Sequence, residues 1–182
     1  VHLNVHLWII TYNGLFQYKP AEGSVRNFLP DPTQKHFSLS HKTVWSSFED
    51  SKHRIWVATH LGFTVFYNDD QYQFRAFFGD WTKDEGLVTD RVFRIVEQPV
   101  GSLWLATHDG VFRLTEQADS FAFSRYHSEG PAGRKMSYNF VNDLVPQGKN
   151  RLWAATYRGG VNEFLLEEDS GQNIRIKHHR PS

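Results

Sequence analysis

Four tryptophans constrain this chain more than any other feature. They lie in Leu7-Trp8-Ile9-Ile10-Thr11, Ile55-Trp56-Val57-Ala58-Thr59, Leu103-Trp104-Leu105-Ala106-Thr107 and Leu152-Trp153-Ala154-Ala155-Thr156, at intervals of 48, 48 and 49 residues. Three residues after each Thr comes a Gly (Gly14, Gly62, Gly110, Gly159), and an apolar segment then resumes. Self-similarity at a fixed period is the signature of repeat architectures. Within each period a strand A is expected about ten residues before the Trp: Val44–Glu49, Val92–Glu97 and Val141–Pro146. Strand B carries the Trp, and strand C follows the Gly. Strand D is an aromatic or β-branched run at Val25–Leu29, Phe74–Phe78, Phe121–Tyr126 and Ile174–His178. Four short strands per period predict an all-β chain, a β-propeller of four blades of about 48 residues within a larger propeller. The blades are placed at 1–30, 40–79, 88–127 and 137–179 of a single segment, 1–182. The first lacks its A strand.

The blade accounts for the residue types. Alternation along strand B puts each Trp on the same face as Ile10, Ala58, Ala106 or Ala155, so a neighbouring blade can approach over the small residue and pack on the indole. A buried ring removes roughly 150–250 Å² from water, which is several kcal/mol at ~25 cal/mol per Å². The tryptophans are therefore expected to be core. The repeated Gly is expected to supply the positive φ of the B–C turn.

Composition excludes several functions. Twenty basic residues balance twenty acidic ones, which argues against counterion-driven binding of nucleic acid and against a polybasic membrane surface. Cysteine is absent, so disulfides, thiolate zinc sites and cysteine nucleophiles are excluded. Ten histidines are scattered, with one adjacent pair, His178-His179; this is not the convergent spacing a zinc site needs, and neither metal nor cofactor is expected. No Gly-x-Ser-x-Gly, His-Glu-x-x-His or phosphate loop occurs. Glu49 and Glu97 recur at one repeat position, which suits turns better than an acid–base pair. No catalytic residue is expected. No apolar run reaches the ~18 residues of a membrane span. The chain opens on Val1 rather than Met, as an excised or processed piece does.

The repeat resembles the two-component regulator propeller repeat, in which Val-x-x-Ile-x-Glu-Asp leads through a turn to Leu-Trp-Ile-Gly-Thr and then Gly-Gly-Leu-Asn-Arg. The matching pieces are Phe48-Glu49-Asp50, the four Trp-x-x-Thr segments, Thr156 to Phe164, and the lead Gly86-Leu87-Val88-Thr89-Asp90-Arg91-Val92. Departures are Ile10, Ala58, Ala106 and Ala155 where that repeat has Gly, and altered A–B turns at 51–53, 99–101 and 148–150. The resemblance implies the extracytoplasmic, non-catalytic sensing region of a bacterial membrane protein in signal transduction. Such a region is periplasmic, part of an inner-membrane protein, and attached to the membrane only through the parent, whose output is a histidine kinase or diguanylate cyclase. Two alternatives are a propeller lyase of the virginiamycin B lyase type and a protein-interaction scaffold. The lyase's repeats favour Phe-Thr-Glu after the Trp, and here no Thr of the repeat precedes Glu.

Propellers usually bind on the face carrying the B–C turns and D–A loops. The B–C turns supply the candidate ligand-binding residues Tyr12, Asn13, His60, His108, Asp109, Tyr157 and Arg158. The D–A loops at 30–43, 79–91 and 127–139 are expected to flank them. A polar aromatic rim of this kind suits a small polar ligand such as a saccharide, although half-exposed turns also tolerate these residues. Open end blades would present apolar faces to another propeller segment or to a second copy in a homodimer.

Overall fold

A computed structural model of the chain describes residues 6–68, 73–79, 87, 91–98, 101–117, 121–166 and 174–180. It contains four antiparallel sheets, each a meander in sequence order. The first holds β1 (Leu7–Thr11), β2 (Gly14–Lys19) and β3 (Ser24–Phe28). The second holds β4 (Val44–Glu49), β5 (Ile55–Thr59), β6 (Phe63–Asn68) and β7 (Gln73–Phe77). The third holds β8 (Val92–Glu97), β9 (Leu103–Thr107), β10 (Gly110–Glu116) and β11 (Phe121–Tyr126). The fourth holds β12 (Val141–Gln147), β13 (Arg151–Thr156), β14 (Val161–Leu166) and β15 (Ile174–His179). Each sheet is a propeller blade. Among the described residues the helical content is one 3-10 turn at Pro32–Gln34, capped by Asp31. The first blade has three strands among these residues; 1–5 lie outside them.

The A strands β4, β8 and β12 lie side by side, and the blades stack through three apolar clusters. Leu15 and Phe28 of the first blade meet Ile55, Val57 and Phe66 of the second. Trp56, Ala58 and Phe63 meet Val92, Leu105 and Phe112 of the third. Trp104, Ala106 and Val111 meet Leu144, Leu152 and Phe164 of the fourth. Trp56 and Trp104 are fully buried beside Ala58 and Ala106, as the ring-beside-small pattern requires. Trp8 and Trp153 are only half-buried, because among the described residues no strand lies inside β1 and no blade covers the outer face of the fourth sheet. Each fully paired blade also satisfies its indole N–H from the residue six positions earlier. Trp56 donates to the Asp50 carboxylate at 2.8 Å, Trp104 to the Gln98 carbonyl, and Trp153 to the Gln147 side chain at 2.8 Å.

The repeated Thr and Gly build the B–C turn. Thr59 Oγ1 donates to the Gly62 carbonyl at 3.1 Å and accepts from Leu61 N at 3.1 Å; Thr11, Thr107 and Thr156 do the same. Gly62 has φ +72°, and a Cβ there would lie 1.8 Å from the carbonyl oxygen of Phe77 on strand D. In the fourth blade the turn is one residue longer. Gly160 (φ +77°), not Gly159, takes the left-handed position against the His179 carbonyl. Gly159 is small for another reason: a Cβ would meet Ser137 Oγ at 2.5 Å.

Candidate functional site

The rim of the B–C turns is held in place by backbone bonds. His60 N, His108 N and Tyr157 N donate to the carbonyls of Thr43, Arg91 and Phe140, the residues just before β4, β8 and β12, at 3.1, 3.3 and 2.9 Å. Successive blades are tied as well: Gly14 N donates to Lys42 O and Gly110 N to Asn139 O, both at 2.7 Å. One residue into each A strand the register slips by a bulge, at Trp45, Phe93 and Asn142. A bulge leaves its residue unpaired and re-aims the side chain.

Two of these bulge residues, Trp45 and Phe93, together with Phe140 join predicted residues into one line of rings. Tyr12 meets Trp45 edge-on, with centroids 5.8 Å apart. Trp45 lies 6.2 Å from His60 and 5.6 Å from Phe93. Phe93 stacks on Phe140 at 5.1 Å, and Phe140 stacks on Tyr157 at 5.4 Å and meets His108 at 5.0 Å. His41, from the first D–A loop, sits 5.3 Å from His60. The line thus runs from the first blade to the fourth. Tyr12 (73% exposed) and Tyr157 (56%) stand at its two ends, while Trp45, Phe93 and Phe140 are half-buried between them. The Trp45 Nε1 atom is buried without a hydrogen-bond partner among the described residues.

Not every predicted residue joins this line. Asp109 is occupied: it pairs with Arg125 and accepts from Asn139 Nδ2 at 3.2 Å. The Arg158 guanidinium lies over the Tyr157 ring at 5.2 Å. The exposed Asn13 bonds through its backbone N to Thr11. Burial, then the nearby His60, push the His41 imidazole below its usual pKa; its Nδ1 accepts from Thr43 N at 3.0 Å, which suits the neutral ring. Among the described residues no three His, Asp or Glu side chains gather as a metal site would require. His178 turns to the Lys135 carbonyl and His179 to Glu163. Glu49 and Glu97 serve turns, contacting His53 and Ser51 respectively.

The D–A loops at 30–43 and 127–139 reach the rim through His41 and Asn139. Most of the loop at 79–91 lies outside the described residues. The two described loops are pinned alike: Ser40 N donates to Thr64 Oγ1 and Ser137 N to Asn162 Oδ1, both at 2.8 Å. Leu39, Leu87 and Met136 are buried plugs at 1%, 5% and 0% exposure. Sequence reasoning missed these plugs and the inner rings Trp45, Phe93 and Phe140. The plugs carried a signal, since they are spaced 48 and 49 residues apart, the same period as the tryptophans.

Strand order, blade stacking and a ring-lined face on the turn side define a β-propeller segment. Residues 38–60 match the family model described as two component regulator propeller. That stretch carries one copy of the repeat that the family model describes. Among solved structures it is similar to two extracellular domains from B. thetaiotaomicron, both described as belonging to hybrid two component systems. To that of BT4673 it is 19% identical over 93% of this chain and 23% of the other, with a TM-score of 0.70. To that of BT3049 it is 22% identical over 87% and 18%, with a TM-score of 0.63. It is also similar to YCF48 from Cyanidioschyzon merolae, at 11% identity over 94% of this chain and 55% of the other, with a TM-score of 0.58. At these identities the likeness establishes the fold. The chain spans about a fifth of the length of the two B. thetaiotaomicron domains. No curated protein is similar to it in sequence at a significant level.

Proposed function

We propose that this chain is an arc of a larger extracytoplasmic propeller that senses a small polar ligand for a bacterial membrane signalling protein and performs no catalysis itself. The observation that carries this reading is the continuous line of rings from Tyr12 to Tyr157. Tyr, Trp, Phe and His rings in contact offer apolar surface with polar tips, the mixture that holds a hydroxyl-rich molecule such as a saccharide. The family repeat at 38–60 and the extracellular propellers it resembles support a periplasmic setting within an inner-membrane protein. The uncovered outer face of the fourth blade, with Trp153 half-buried and Val145 54% exposed, fits a further blade or another propeller segment.

Calorimetric titration of the chain with a panel of sugars and other periplasmic metabolites tests the reading. Binding should be lost when His60, His108 and Tyr157 are replaced together by Ala. Binding that survives this triple change removes the rim as the site, and turnover of a bound compound removes the non-catalytic reading.

A further inference from the structure

The segment His41-Lys42-Thr43, just before β4, carries three bonds that assemble the first part of the rim. Lys42 O accepts from Gly14 N of the first blade at 2.7 Å, and Thr43 O accepts from His60 N of the second B–C turn at 3.1 Å. The third bond closes the segment on itself: Thr43 N donates to His41 Nδ1 at 3.0 Å. Trp45 follows two residues later, and its ring lies 6.2 Å from that of His60.

The chemistry of that third acceptor sets it apart. A side chain that accepts from the N–H two residues on is usually Asp, Asn, Ser or Thr. Asp31 does this in the same loop, accepting from Thr33 N at 2.8 Å. Its oxygen stays an acceptor near neutral pH. An imidazole nitrogen accepts only while bare and becomes a donor when it takes a proton. A proton on His41 Nδ1 therefore sets two N–H groups against each other at Thr43. The surroundings do not welcome the added charge. The His60 ring lies 5.3 Å away, Lys42 is next in the chain, and both, together with burial, oppose a positive His41. Tyr12 and Asn13 of the first turn and Trp45 of β4 bring neither a carboxylate nor a cation. The seam of the third and fourth blades is built differently. There Asn139 O takes Gly110 N as Lys42 O takes Gly14 N, so Tyr138 stands where the first seam has His41.

We propose that His41 is an acid-sensitive latch of the rim, holding the segment 41–43 closed as the neutral imidazole and releasing it when Nδ1 takes a proton from solvent. Release loosens the carbonyls that hold Gly14 and His60, and with them the setting of His60 beside Trp45. The fold favours the neutral ring, so the latch contributes fully above pH 6.5, and its contribution is lost as pH falls through the lower folded value. One consequence rests on the rim as the binding site: ligand affinity falls in acid.

The test is NMR of the 182-residue chain, with no ligand added, titrated from about pH 8 to about pH 5. Long-range nitrogen–proton spectra of the imidazoles read the proton on His41 Nδ1, and amide exchange, corrected for its intrinsic pH dependence, reads the three bonds. Nδ1 should be bare at the alkaline end. As it takes a proton, protection of the Thr43 amide should fall by roughly two- to tenfold, the scale of one lost hydrogen bond, with falls at Gly14 and His60 in the same step. Gly110, at the seam with Tyr138, should keep its protection. Thermal melts of His41→Asn give a second reading. The Asn side-chain oxygen can keep the bond from Thr43 N and takes no proton, so this variant should match the parent at the alkaline end and lose less stability in acid. Four results each overturn the proposal: a proton on Nδ1 at the alkaline end, Thr43 protection unchanged as His41 titrates, an equal fall at Gly110, or a His41→Asn variant as acid-sensitive as the parent. None of these readings needs a bound sugar, so failure of the latch is told apart from failure of the rim as a binding site.

Discussion

Replacing Asp50 by Asn should cost the chain about 3 kcal/mol, the low end of the range for stripping one partner from a buried ion pair. Asp50 is 4% exposed and Arg54 8%. The carboxylate accepts four bonds. Oδ1 takes Lys52 N and Arg54 N, both at 2.9 Å, and Oδ2 takes Arg54 Nε at 2.7 Å and Trp56 Nε1 at 2.8 Å. Asn keeps the first two and sets an amide N–H₂ against two donors. Hydrogen bonds to charged groups are worth about 1.5–3 kcal/mol each, so the loss at Oδ2 alone approaches the full range. It stays at the lower end because Arg54 keeps Glu116, 2.8 Å from Nη1. Denaturant unfolding followed by tryptophan fluorescence measures the change. Glu49→Gln, at an exposed pair with His53, is the control and should stay within about 0.5 kcal/mol. The third blade has Gln98 and Ser102 where the second has Asp50 and Arg54, so Asp50→Gln with Arg54→Ser should recover much of the loss. Acid gives the same answer independently. Burial alone would raise the Asp50 pKa, but the bonds from Trp56 and Arg54 and the Arg54 charge outweigh it and hold the value below 3.8. The pair's stabilisation is therefore full above pH 3.8 and is lost as pH falls through the lower folded value. The Asn variant should lack this part of the acid dependence. A loss no larger than that of Glu49→Gln, with an unchanged acid profile, would refute the reasoning.

Other outcomes follow from the same structure. Trp104→Ala should cost about 3–5 kcal/mol, against at most about 0.5 for the exposed His108→Ala; equal losses in denaturant melts would mean that His108 is structural. Gly62→Ala should cost more than the roughly 1–2 kcal/mol of the left-handed backbone alone, because its Cβ meets the Phe77 carbonyl at 1.8 Å; Gly159→Ala should also destabilise, by contact with Ser137 rather than by φ, and a thermal shift series separates the two. Trp45→Ala should abolish ligand binding at the rim as the triple rim change does, with a smaller loss of stability than Trp104→Ala, since its ring is only half-buried; full binding by Trp45→Ala in calorimetry would exclude the inner rings from the site.

The repeat made most of the fold readable, because a period of 48 residues with one Trp, one Thr and one Gly per turn has few physical solutions. Strand ends moved by a residue where the chain had two equivalent ways to continue. Ser24 and Gln73 pair at the start of their D strands, and Leu29 and Phe78 fall outside the ends. The Gly of the fourth turn was misplaced because Thr156-Tyr157-Arg158-Gly159-Gly160 offers two glycines and only the register against β15 selects one. The rim was half readable. Residues after Thr were visible as a recurring position, whereas Trp45 and Phe93 read as ordinary strand residues on the alternation rule. Their exposure to the rim comes from a bulge, and a bulge is a property of two paired strands rather than of one segment.

That difference bears on which rim side chains also serve the fold. Each B–C turn is held by Thr to Gly bonds, and those of the last three blades also by backbone bonds to the residue before the A strand, so none of the fixing atoms belongs to Tyr12, His60, His108 or Tyr157 side chains. Tyr and His can therefore alternate at one position without altering the turn. The inner rings are the opposite case. Trp45, Phe93 and Phe140 touch one another across blade boundaries, and the packing of successive A strands sets their spacing. A ligand lying along the line would contact turns that belong to separate blades and rings whose distance depends on how those blades stack. On the proposed reading, binding energy gained at the rim would be coupled, through Trp45 and Phe93, to the angle between neighbouring blades rather than to any one turn. Rim substitutions should accordingly change affinity with little effect on stability, and inner-ring substitutions should change both.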